Sequence, residues 1–133
     1  MADNESGQLR AGFHPLEAWG GGVRWTGPEA KLVLAQAGER KCSVTFHAGL
    51  ARRGQSVRGR VQVGDEAGTN AETQEFEVAP DGWHTVVVPV PEGAPDPVWV
   101  TITVDDPIVP SALDKGSTDN RSLGVAVREV GLT

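Results

Sequence analysis

Short runs of alternating apolar residues, each closed by glycine or proline, recur along this chain from residue 22 to residue 132. A β-strand sends successive side chains to opposite faces, so such runs put one apolar face on a core and one polar face in water. The runs fall near 22–26, 30–35, 41–48, 56–64, 72–79, 83–91, 97–105 and 123–132. Between them stand turn-forming groups such as Gly27-Pro28, Gly64-Asp65-Glu66-Ala67-Gly68, Asp81-Gly82 and Gly93-Ala94-Pro95. These residues supply the φ angles that end strands and open turns. Seventeen glycines and nine prolines, with no sustained 3.6-residue period, argue against helices. Eight short strands predict an all-β fold, a two-sheet antiparallel β-sandwich of the jelly-roll type.

Alternation also assigns faces. Ala30/Leu32/Leu34, Cys42/Val44/Phe46/Ala48, Val57/Gly59/Val61/Val63, Gln74/Phe76/Val78, Val86/Val88/Val90, Val98/Val100/Ile102/Val104 and Leu123/Val125/Val127 point inward. The pattern slips at Arg128-Glu129 and resumes at Val130 and Leu132, which predicts a β-bulge. Residues 1–11 read as a flexible lead-in and 12–133 as one domain, with 106–122 as the one long connection. At 133 residues a core forms without disulfides. The single Cys42, inside an alternating run, reads as a buried, inert thiol.

Several functions are disfavoured. A net charge of −6, with basic residues scattered apart from Arg52-Arg53 and Arg58/Arg60, does not suit a nucleic-acid binder. No run reaches the 18 apolar residues of a membrane span, and the polar, acidic start lacks the apolar core of a signal peptide. The expected compartment is therefore the cytoplasm. The three histidines, His14, His47 and His84, show no metal spacing, and no nucleophile elbow, phosphate loop or dinucleotide fingerprint occurs. The expectation is a non-catalytic chain without cofactor or metal. A small hydrolase using Glu75, Glu77 or Asp105 would need a deep cleft with two facing carboxylates.

Two groups of residues read as sugar sites, because a sugar ring needs an aromatic plane and planar hydrogen-bonding groups. If strands 30–35, 97–105, 56–64 and 72–79 form one sheet, its outer face carries Trp99, Thr101, Thr103, Arg58, Arg60, Gln62, Glu75 and Glu77. Trp99 beside Arg58 and Arg60 is the first candidate; the loop tryptophans Trp83 and Trp19 are the second. Trp25 is assigned to the core. A third set, Glu17, Arg24, Asp119 and Arg121, reads as a structural ion network tying the ends of the chain together. Calcium held by Glu17 with Asp119, or with Asp105 and Asp106, is the competing reading, which the neighbouring arginines oppose.

Four short motifs extend across the chain: Gly12-Phe13 with Glu17, Arg24-Trp25-Thr26, Ala30-x-Leu32-x-Leu34, and Asp119-x-Arg121-x-Leu123-Gly124-Val125-x-Val127. Together they resemble a β-sandwich accessory region found beside bacterial glycosyltransferase and methyltransferase domains in surface-polysaccharide pathways. The resemblance implies a non-catalytic, carbohydrate-binding-module-like jelly roll whose partner is a glycan or an enzyme of that kind. It maps Glu17, Arg24, Trp25, Asp119 and Arg121 onto the shared pattern. A protein-interaction or scaffolding domain that docks on a partner enzyme is the alternative.

Overall fold

The computed structural model describes residues 8–48, 55–113 and 116–133. Residues 1–7 of the expected lead-in and the Arg52-Arg53 pair lie outside the described residues. The strands are β1 (Leu9–Phe13), β2 (Arg24–Leu34), β3 (Lys41–His47), β4 (Val57–Gly64), β5 (Ala71–Val78), β6 (Trp83–Pro89), β7 (Val98–Val104) and β8 (Ala126–Leu132). Among the described residues helix is limited to short turns, a 3₁₀ turn at Trp19–Gly21 and one α-helical turn at Pro110–Leu113. None of the described helices is long and apolar enough to cross a membrane.

All pairings are antiparallel, and the eight strands form one nearly closed sheet in the order β5-β4-β7-β2-β8-β3-β6, with β1 added on β2. Strand β2 makes this continuity. Glu29–Leu34 pair with β7, whereas Arg24 and Trp25 pair with β8. The two runs expected at 22–26 and 30–35 are thus one strand of eleven residues. Gly27-Pro28 does not end it, because Pro28 sits where β2 passes from β8 to β7 and no ladder partner requires its missing N–H.

The expected grouping of strands 30–35, 97–105, 56–64 and 72–79 is present as β2-β7-β4-β5. The end strands β5 and β6 approach one another, and Phe46 of β3 meets Phe76 of β5 across the core at a 5.0 Å ring separation. The core contains the inward residues of every assigned run except Gln74, which is exposed midway along the end strand β5 and donates to the Glu75 carbonyl. Cys42 is fully buried, and burial pushes its thiol up to about 12.

Two local features differ from or refine the sequence reading. The lead-in is shorter than expected, since Leu9–Phe13 pair with β2. Alternation is weak there because β1 is exposed over most of its length. The bulge falls where predicted: Thr45 faces Glu129 but Phe46 faces Val127, so Arg128 is the extra residue.

Candidate functional site

The Arg-Trp-Thr and Leu-Gly-Val motifs meet at a backbone lock. Thr26 N–H donates to Val125 O at 2.8 Å, Gly124 N–H to Thr26 O at 2.7 Å, and Val125 N–H to Thr26 Oγ1 at 3.1 Å. Thr26 is fully buried, so its hydroxyl needs this partner. Residue 124 must be glycine, because a Cβ there would collide with Thr26 Oγ1 and come within 2.7 Å of Gly27 O. The most distinctive sequence motifs therefore serve the junction of β2 with the segment before β8.

Beside this lock lies the ion network. Arg121 grips Asp119 through Nε–Oδ1 at 2.9 Å and Nη2–Oδ2 at 2.7 Å, and reaches Glu17 Oε2 from Nη1 at 3.2 Å. These hydrogen bonds from Arg121 hold the Asp119 carboxyl down at about 2, and Asp119 in turn raises the Arg121 guanidinium. Arg24 stands apart from the carboxylates. Its Nη1 donates to the His14 carbonyl at 3.3 Å, and its buried Nε has no hydrogen-bond partner. Three of the four expected residues thus form the network, while Arg24 braces the β1–β2 connection. Among the described residues no group of His, Cys, Asp and Glu side chains is placed to hold a metal ion.

Glu17 also connects the network to an aromatic cluster, since its Oε1 accepts the indole N–H of Trp19 at 2.9 Å. Trp19 lies 6.1 Å from Trp25, 6.1 Å from Trp83 and 5.6 Å from the His47 ring, which meets Trp83 edge-on at 5.2 Å. Register explains the row: Trp25 pairs with Ala126, Ala126 with His47, and His47 with Trp83, across β2, β8, β3 and β6. Arg128, the bulge residue, lies on the same surface, where its guanidinium carbon sits 4.1 Å above the Trp83 ring.

Trp19 and Trp83 keep 38% and 37% of their surface open, while Trp25 is half-buried beneath Trp19 rather than in the core. Gly20, at φ +63°, lets the 3₁₀ turn approach to where a Cβ would stand 2.7 Å from Trp83 Cζ2. Sequence reasoning selected Trp83 and Trp19 singly but missed their union with His47 and Arg128. Alternation from inward Val127 was the legible signal for Arg128.

The other expected group is only partly assembled. Trp99 pairs with Gly64 and Val33; Thr101 pairs with Gln62 and Lys31; Thr103 pairs with Arg60 and Glu29. Two residues along a strand span about 7 Å, so a full Thr101–Gln62 row separates half-buried Trp99 from Arg60. Arg58 is one row farther still and is tied to Glu77, Nε to Oε2 at 3.2 Å. Trp99 is therefore not beside Arg58 and Arg60. Arg58, Arg60, Glu75, Glu77 and Asp105 border a 360 Å3 depression, in which Arg60 also approaches Asp105 at 3.9 Å.

No protein-family model matches this chain, and no curated protein matches it in sequence.

Proposed function

We propose that this chain is a non-catalytic carbohydrate-binding module, built as a jelly-roll sandwich and linked to bacterial surface-polysaccharide synthesis. In that reading β1-β2-β7-β4-β5 and β2-β8-β3-β6 are the two sheets, sharing β2. The observation that carries it is the Trp19–Trp83 pair, two partly open indoles 6.1 Å apart with the His47 ring packed against both. The open part of Trp19 takes the C–H face of a sugar ring, while Arg128, stacked over Trp83, and His47 supply polar contacts beside it. One shallow platform binds weakly, so useful avidity comes from repeats along the polymer.

The test is a titration with bacterial polysaccharide fragments followed by tryptophan fluorescence. A saturable change lost in Trp19→Ala or Trp83→Ala, and kept in Trp99→Ala, supports the platform. No response across a broad panel from folded protein sinks the sugar reading.

One observation favours docking on a partner enzyme instead. Val87, 46% exposed, lies on the same outer face as Trp83 of the end strand β6, which is paired on one side only. Such a strand accepts a protein partner by edge pairing.

A further inference from the structure

We propose a second sugar site, on the outer face of β2, β7 and β4, that takes an uncharged polyhydroxylated ring mainly by hydrogen bonding. It rests on the glycan-binding reading above, but uses none of the residues of the tryptophan platform. Cross-strand register sets out its floor in two rows, Lys31–Thr101–Gln62 and Glu29–Thr103–Arg60. These rows hold much unused hydrogen-bonding capacity. The side chains of Thr101, Thr103 and Gln62 are half-buried and make no hydrogen bond among the described residues. Among the described residues Lys31 and Arg60 have only long ion pairs, 4.0 Å to Glu29 and 3.9 Å to Asp105. In a partly desolvated site such groups gain most from a ligand that pairs with them.

One wall is preorganised. Asp65 clamps the turn between β4 and β5 by accepting from Thr69 N at 2.9 Å, Thr69 Oγ1 at 2.7 Å and Asn70 N at 3.1 Å. The turn reaches over the sheet at Gly68, φ +75°, where a Cβ would stand 2.5 Å from the Gln62 amide nitrogen. Glycine at this place lets the turn close down on Gln62 and leaves a 190 Å3 recess between the turn and the two rows. That is below the roughly 300–1,000 Å3 of pockets for drug-sized ligands, and suits a single ring. One row beyond Thr101, Trp99 lies opposite Gly64 and outside the lining of the recess.

Charge selects the ligand class. An anion entering the recess faces Glu29 and Glu66, and a cation faces Lys31 and Arg60. A neutral polyol donates to the carboxylates and threonines and accepts from the lysine, arginine and amide, satisfying both sets. The module then carries two unlike sites on separate strand groups, one built on stacking and one on hydrogen bonds. Two weak sites on one polymer bind more tightly than either alone.

The test is an amide-resolved NMR titration of the wild-type protein, where the two sites report separately. Cellohexaose, maltohexaose and mannohexaose are the neutral probes and a galacturonate hexamer the acidic one. A neutral hexamer is expected to move the amides of Gln62, Thr101 and Thr103. The Gln62→Leu/Thr101→Val variant, with its spectrum otherwise intact, is expected to weaken that response about tenfold, as two lost hydrogen bonds imply. Response at this face to the galacturonate hexamer alone overturns the uncharged class. Movement confined to Trp19, Trp83 and His47 overturns the second site and leaves the proposed function standing. Silence at both faces overturns both.

Discussion

Arg121 binds both oxygens of Asp119, with Nη2–Oδ2 at 2.7 Å, while its remaining Nη1 reaches Glu17, 104 residues earlier in the chain. This planar fork suits arginine, because lysine offers a point charge and cannot match two carboxylates at once. Arg121→Lys is expected to lower stability by about 1 kcal/mol, a value discounted because the side chains are partly solvent-screened. Urea denaturation of the two proteins measures it. Unchanged midpoints would show that the network is only a surface decoration.

The same pair makes stability depend on acid. Asp119 is held at about 2, below the ordinary carboxylate value of about 3.9. A depressed folded value means the group stabilises the fold fully above about pH 4, and that this contribution is lost as pH falls toward about 2. Asp119→Asn is expected to flatten this part of the stability–pH profile. Parallel profiles for wild type and variant between pH 5 and pH 2 would contradict it.

Gly124 is predicted to be irreplaceable. Its position against Thr26 and Gly27 leaves no room for a methyl group, and the atoms it would strike include backbone. Gly124→Ala should cost at least about 3 kcal/mol, as overpacking of a tight core does. The expected outcome is loss of the soluble folded protein or a thermal midpoint lowered by many degrees.

Gly20 is predicted to control the tryptophan platform. Gly20→Ala puts a side chain in the left-handed region and against the Trp83 ring, at a cost of about 1 kcal/mol in backbone strain. Near-UV circular dichroism should change while far-UV circular dichroism stays the same. An unchanged aromatic spectrum would mean that Trp83 does not rest on this turn.

Cys42 is predicted to be silent in the native protein. It is fully buried with its thiol pushed up to about 12, so little thiolate forms near neutral pH. A disulfide reagent should react only after denaturant is added. Fast labelling of native protein would reveal opening of β3 on the labelling timescale.

Alternation alone determined most of the strands and their inward faces, because side-chain direction in a strand follows from position along the backbone. Even the bulge at Arg128 was legible, since one extra residue shifts the period of everything after it. β1 was not, because its exposed side chains leave no alternating trace and only pairing with β2 defines it. Nor was the continuity of β2 through Pro28, which depends on neighbours that need no N–H from that residue.

Of the candidate sites, the sequence by itself determined the chemistry on offer: indoles, arginines, carboxylates and an amide on polar strand faces. Tertiary structure decided which of them meet. Strand pairing put a Thr101–Gln62 row between Trp99 and Arg60, and carried Arg24 to a backbone carbonyl instead of a carboxylate. It also gathered Trp19, Trp25, His47, Trp83 and Arg128, from four strands and a turn, onto one surface. The reason is physical. The face a side chain takes is a local property of its strand, whereas its neighbours on that face depend on strand order and register, which long-range pairing and core packing determine together.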